Sequence, residues 1–328
     1  MHHPLAAEYV RSPAPAAGTA VFLHGLGGWT HNWAHLIDLL RTSAHCLALD
    51  LPGFGRSAPP PDGDVTVEHQ AAAVAGHLDR HLDRDLDRRL DRRLGRHPDH
   101  HPDRNGHRRV HLVGNSLGGL IALRLAAQRP DLVATLTLIS PVLPTFPPAP
   151  ALRVALLGLP GAPRLHARLL ATQSPDRQLD DLYRLIYANP GLVGTEQRSV
   201  EARERRRRAE LPYAQDMLAE GVRSVVRASL RRGEASAWHL ARRVTAPTLL
   251  VYGRDDALVP FRTAPRAYAA FRDARLLTLP GVGHVAMQER PAPVATAIRA
   301  LITEASPRGT VTAPGSGAPG ACSGSTRG

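Results

Sequence analysis

Gly114-Asn115-Ser116-Leu117-Gly118 sets a serine between two glycines in the pattern G-x-S-x-G. A serine hydroxyl is a weak nucleophile until a neighbouring base takes its proton. The pentapeptide directly follows the apolar run at 109–113 (RVHLV) and opens the helical stretch Leu117–Gln128. In that setting the pattern predicts a sharp strand-to-helix turn that lifts the Ser116 hydroxyl clear of the sheet. The helix N-terminus would add N–H groups and partial positive charge where an oxyanion forms. The plainer alternative is a Gly-rich turn with a surface serine.

A base and an acid stand further along the chain. Of the 17 histidines, six fall in the charged repeat at 77–108 and two near the N-terminus. His284 differs, because it follows the run at 275–279 (RLLTL) through Pro280-Gly281-Val282-Gly283. The run at 248–252 (TLLVY) ends in Gly253-Arg254-Asp255-Asp256, offering two adjacent carboxylates. Loops at the carboxyl ends of strands are where an α/β sheet presents catalytic groups. Ser…Asp…His is moreover one of the chain orders in which a serine triad occurs.

These residues need a sheet to position them. Thr19–Leu23, 44–49, 109–113, Val133–Ile139, 248–252 and 275–279 are short, nearly continuous apolar runs, separated by helical stretches such as Leu117–Gln128 and 294–303. Such runs read as parallel strands buried on both faces, hence an α/β doubly wound sheet. Three segments interrupt it. Residues 77–108 repeat His-Leu-Asp-Arg and its variants, with Leu78, Leu82, Leu86, Leu90 and Leu94 every four residues. That spacing drifts about 40° per repeat on a helix, so the expectation is a solvated, charged helix extension rather than a packed face or a metal site. Residues 141–243 open with a proline cluster and turn helical, which reads as an inserted cap; its Leu/Pro-rich opening would line an apolar pocket or simply pack within the cap. The run Arg203–Arg208 (RERRRR) is expected to be a solvated helix face. Residues 305–328, rich in Gly, Ser, Pro and Thr, are expected to be a disordered tail. The core is then 1–140 with 244–304.

Composition narrows the classes. The 328 residues are 43% hydrophobic, enough for a sizeable core. The net charge of +12 comes with 41 arginines and no lysine, a usage that reflects coding bias as much as a partner. No basic element has groove-reading geometry, so no nucleic-acid partner is expected. Cys46 and Cys322 cannot form a disulfide framework, and no apolar run reaches membrane-spanning length. The expectation is a cytoplasmic protein without stable membrane insertion.

Taken together the motifs resemble the α/β-hydrolase family, in its branch with a helical cap. His24-Gly25 looks like its HG motif, and Asp50-Leu51-Pro52-Gly53-Phe54-Gly55-Arg56-Ser57 like its D-x-P-G-x-G-x-S loop. Gly114 to Gly118 resembles its nucleophile elbow, Gly253 to Asp256 with Val259-Pro260 its acid turn, and Gly283-His284 through Glu289-Arg290-Pro291 its histidine turn. The resemblance implies Ser116 as nucleophile, His284 as base and Asp256, three residues after Gly253, as the acid in preference to Asp255. It implies an oxyanion hole from the backbone N–H of Leu26 and Leu117, a structural role for His24, and no cofactor or metal. Two strands usually precede the HG strand in this family. Only 18 residues do so here, so at least one N-terminal strand is expected to be missing.

A serine nucleophile excludes the Asp-nucleophile branches and leaves acyl transfer to water on a small-molecule acyl substrate. The elbow Gly-Asn-Ser-Leu-Gly-Gly resembles that of carbon–carbon bond hydrolases acting on ring-cleavage products, but Val285 stands where they usually carry Trp. A carboxylesterase is therefore the expectation. The alternatives are the carbon–carbon hydrolase and a catalytically silent binding protein on the same fold.

Overall fold

The computed structural model describes residues 5–14, 16–82 and 109–305. Among these residues, seven strands form one sheet in the order β1-β3-β2-β4-β5-β6-β7. They are β1 Ala7–Val10, β2 Thr19–Leu23, β3 His45–Leu49, β4 Val110–Asn115, β5 Val133–Ile139, β6 Thr248–Gly253 and β7 Ala274–Leu279. All neighbours are parallel except β1, which runs antiparallel to β3 with Ala7 opposite Leu49. One strand thus does precede the HG strand.

The strands are apolar on both faces because both faces are covered. Val21 and Leu23 of β2 point into one core with α2 (Val67–Leu82) and α3 (Leu117–Gln128). Ala20 and Phe22 point into the other, with α1 (Ala34–Leu40) and a C-terminal helix, Pro291–Ala305. Alternate residues of a strand face opposite ways, so a continuous apolar run serves both layers.

Helix α2 carries the first turns of the tetrapeptide repeat. Val67, Ala71, Val74 and Leu78 are buried in one core, at the i, i+4, i+7, i+11 spacing of a single helix face. Leu78 therefore continues the face of the helix before it instead of being solvated. The rest of the repeat, from 83 to 108, and the segment after Ala305 lie outside the described residues.

Between β5 and β6 stand six further helices: α4 Ala149–Leu156, α5 Ala162–Ala171, α6 Pro175–Ile186, α7 Thr195–Ala209, α8 Ala214–Leu230 and α9 Ala237–Arg243. Helix α9 packs on α3 among the core residues, through Trp238, Leu240 and Ala241. The leucines of α4 do not pack: Leu152 and Leu156, with Leu159 just beyond, are all exposed. Among the described residues no helix is long and apolar enough to cross a membrane.

Candidate active site

Ser116 sits between β4 and α3 with φ 55° and ψ −116°. This left-handed backbone costs on the order of 1–3 kcal/mol in a non-glycine residue and persists only where its surroundings over-determine it. Here they do. The Ser116 N–H donates to the Ile139 carbonyl of β5 (3.0 Å), and the Ser116 carbonyl accepts from Leu120 N–H (3.1 Å). The flanking glycines are steric necessities. A Cβ on Gly118 would lie closer than 3.0 Å to the carbonyl oxygens of Leu23 and His24, and one on Gly114 would strike the backbone of Gly118 and Gly119.

The HG loop closes against this turn. A Cβ at Gly25 would come 3.2 Å from Ser116 Cβ and 3.1 Å from Asn115 Oδ1, so Leu26 follows a residue already in contact with the elbow. His24 fixes the loop. Its Nε2 accepts from Leu51 N–H (3.0 Å), which leaves the proton on Nδ1 to be donated to the Gly25 carbonyl (2.7 Å). Burial pushes its pKa down to about 4, opposed by the Gly25 bond and aided by Arg208. A fully buried neutral imidazole with both nitrogens engaged is a strut. Leu117 opens α3, directly after Ser116.

Asp256 and His284 meet. His284 Nδ1 lies 2.9 Å from Asp256 Oδ2 and 3.1 Å from Oδ1, and both residues are buried. Asp256 Oδ1 also accepts from the N–H groups of Leu258 (2.8 Å) and Val259 (2.9 Å). Burial pushes the carboxyl up, but the charge and hydrogen bond of His284, with the bond from Val259 N–H, outweigh it and hold the pKa below the usual value. Asp255 points elsewhere, accepting from Gly281 N–H at 2.8 Å in an exposed turn. Gly253 makes the meeting sterically feasible, since a Cβ there would collide with the carbonyls of Val282 and Gly283.

The histidine turn is pinned from three sides. Asn115, beside Ser116, donates from Nδ2 to the carbonyls of His284 and Ile139, both at 3.1 Å. The His284 N–H donates to Ile186 at the end of α6 (2.8 Å). Glu289 accepts from Gly283 N–H (2.7 Å) and Ala188 N–H (3.0 Å). With Nδ1 occupied by the carboxylate, Nε2 is the nitrogen left to exchange a proton.

Two further groups build the site. Asp50, buried at the end of β3, accepts from Thr30 N–H (2.7 Å) and Arg56 N–H (2.9 Å), although burial holds its pKa above the usual value. The arginine run is only partly a solvated face. Glu204 is buried and binds Arg207 and Arg208 together at 2.7 Å. Arg208 then donates to the Gly27 and Gly28 carbonyls of the HG loop, and Arg207 to Gly55 (2.5 Å). The spacing Glu204, Arg207, Arg208 is the i, i+3, i+4 pattern of a helix ion cluster, the one sequence signal that could have marked it.

Residues 20–297 match the alpha/beta hydrolase family. The chain belongs to the alpha/beta hydrolase family. Its relatives differ in what they are named for. One is the dihydrolipoyllysine-residue acetyltransferase component of the acetoin cleaving system of Cupriavidus necator, 27% identical over 84% of this chain; the matched stretch spans only 60% of that relative's own length. Another, from Pseudomonas syringae pv. syringae, is named "Putative carbamate hydrolase RutD" and is 26% identical over 88% of this chain and 94% of its own. Among solved structures, the meta-cleavage product hydrolase from Pseudomonas fluorescens IP01 superposes with a TM-score of 0.68 at 17% identity, covering 92% of this chain and 94% of that one. That likeness is one of fold. Membership of this family, with a relative named as a hydrolase, supports hydrolase activity for this chain.

Proposed function

We propose that this hydrolase cleaves a carboxylic ester, or a related acyl bond, of a small apolar substrate through Ser116, His284 and Asp256. The supporting observation is the buried Asp256–His284 pair on a turn tied through Asn115 to the strained Ser116 elbow. His284 Nε2 takes the Ser116 proton as Oγ adds to the acyl carbon, and Asp256 stabilises the imidazolium that forms. The tetrahedral oxyanion accepts hydrogen bonds from Leu26 and Leu117 N–H. The imidazolium then protonates the departing alkoxide and leaves an acyl-Ser116. A water, deprotonated by His284, adds to the acyl carbon, and the imidazolium returns the proton to Ser116 Oγ as the carboxylic acid leaves. No metal or cofactor is needed for this sequence. A cytoplasmic setting fits a chain whose Cys46 is a buried free thiol.

Val285 after His284, in place of the Trp of ring-cleavage hydrolases, favours an ester over a carbon–carbon bond. The test is a panel of p-nitrophenyl esters of increasing acyl length, with an aryl carbamate and a vinylogous diketone alongside, and labelling by a fluorophosphonate. Esters should turn over fastest, and the probe should label Ser116. Ser116→Ala should lower kcat by on the order of 10⁶. More than a few per cent residual activity, or no labelling of active protein, would remove Ser116 from the mechanism.

A further inference from the structure

The outer face of α4 and α5 is apolar, basic and uncovered. Phe146 is 84% exposed, Leu165 59% and Leu169 55%. Leu152, Leu156 and Leu159 are each more than half exposed and fall at i, i+4, i+7, which puts them on one side of α4 and its continuation. Leu165 and Leu169 repeat the one-turn spacing on α5. Exposed apolar residues are ordinary when scattered, but five exposed leucines along two consecutive helices and the turn between them, with both helices packed on α8, mark a contact surface.

Charge identifies the occupant. Residues 132–175 contain no Asp or Glu, while Arg153, Arg164 and Arg168 are exposed among the leucines. The acids of the underlying helix α8 do not reverse this sign. Glu220 is bound by Arg223 (2.6 Å) and Arg227 (2.6 Å), and Asp216 lines a small cleft with Arg164 and Arg223. A second copy meeting this face across a two-fold axis would set arginines against arginines. A surface of acyl chains beneath phosphate headgroups satisfies both features, since leucines enter the acyl boundary while arginines lie at the phosphates.

We infer that the α4–α5 face docks peripherally on an anionic phospholipid bilayer. The contact is interfacial, as helices of eight and ten residues cannot span one. Docking would leave the site beside the lipid surface. Both helices pack on α8, whose Leu218 and Gly221 lie against Gly27 and Leu26 of the HG loop.

The experiment is co-sedimentation of the full chain with phosphatidylcholine vesicles, with and without phosphatidylglycerol, across a salt series. The protein should pellet with the phosphatidylglycerol vesicles, far less with phosphatidylcholine alone, and less as salt rises. Arg164→Gln with Arg168→Gln should lower the partition coefficient about thirtyfold. Phe146→Ser with Leu165→Ser should lower it at least tenfold. Both double variants should keep the wild-type melting temperature and p-nitrophenyl ester turnover in free solution. If the apolar variant fails to fold, the arginine variant and the wild-type salt series still decide. The inference is overturned if the wild type stays in the supernatant with both vesicles, or if both variants pellet as it does. It is equally overturned if sedimentation velocity finds a dimer that Phe146→Ser with Leu165→Ser dissociates.

Discussion

The carboxyl edge of the sheet and the outer cap are built to opposite tolerances. At the sheet edge, Gly114, Gly118 and Gly253 leave no room for a methyl group, Ser116 is held in a left-handed conformation, and the Asp256–His284 pair is buried. In the cap, Gly161 and Gly194 have nothing within 4 Å of a built Cβ, and leucines of α4 and α5 stand in solvent. In the proposed mechanism, proton transfer and oxyanion binding depend on fractions of an ångström, and the residues proposed for them stand where backbone contacts over-determine position. A solvent-exposed surface has no such need.

The sharpest way to break this contrast is at the acid. Asp256→Asn should lower kcat by on the order of 10⁴ with little change in KM, because the carboxylate acts most on the imidazolium of the transition state. Asp255→Asn, which loses only the exposed bond to Gly281, should cost less than about tenfold in the same steady-state assay. The reverse ranking would move the acid to Asp255.

A steric comparison comes next. Gly118→Ala should destabilise the fold by about 3 kcal/mol, because the clash is with strand backbone that cannot yield. Gly194→Ala, which meets nothing, should stay within about 0.5 kcal/mol. Urea melts of the two variants measure both. Equal losses would show that the cap is as tightly fitted as the sheet edge.

His24 supplies a pH arm of similar size. Its folded pKa, about 4, lies below the unfolded value near 6.5, so the unfolded chain binds the extra proton between them. Stability is therefore complete above pH 6.5 and falls as the pH is lowered toward 4, by about 3 kcal/mol. Asp256 works lower on the scale. Its depressed pKa gives stability that is present above the ordinary carboxylate value and lost as pH falls through the folded one. Urea midpoints between pH 7 and pH 4 should decline in the wild type, with uptake of about one proton on unfolding near pH 5. A flat profile over that interval would mean that His24 protonates freely in the native state.

The smallest effect tests the bridge between the two regions. Arg208→Gln removes a charged donor from the Gly27 and Gly28 carbonyls and should lower kcat about tenfold with KM nearly unchanged, the loss of one charge-assisted hydrogen bond. A rise in KM alone would make Arg208 a contact for substrate binding instead of a brace for the HG loop.

Much of this was legible from local chemistry. Val133–Ile139 and Leu117–Gln128 read with their observed bounds because apolar runs buried on both faces, and a helix opened by a glycine-flanked serine, leave strong local signals. The pairing of Asp256 with His284 is implied by a family resemblance, and in the structure the two side chains lie 2.9 Å apart. What escaped the sequence was non-local. Ala7–Val10 is a four-residue strand that, among the described residues, pairs with β3 at the sheet edge, too short for a pattern. Glu204, Arg207 and Arg208 look like any charged helix face until the HG loop is folded against them. Leu78 shows the same limit from the other side: its repeat suggested solvent, while the helix before it supplied a core face.

The bond from His284 N–H to the Ile186 carbonyl bears on how such proteins diversify. Helices between two strands of a sheet invite exchange as a module, leaving the chemistry behind. Here the exchangeable piece carries part of what it would be expected to leave. A recombination at residues 141 and 243 would remove Ile186 together with the partners that Glu289 and Gln288 find in Ala188 and Tyr187. The recipient would keep all three of Ser116, Asp256 and His284 and yet lose a restraint on the last of them. Heritable change in this cap is therefore expected to accumulate by point substitution on α4 and α5, which pack on α8, while the Ile186–Ala188 corner is inherited with the core.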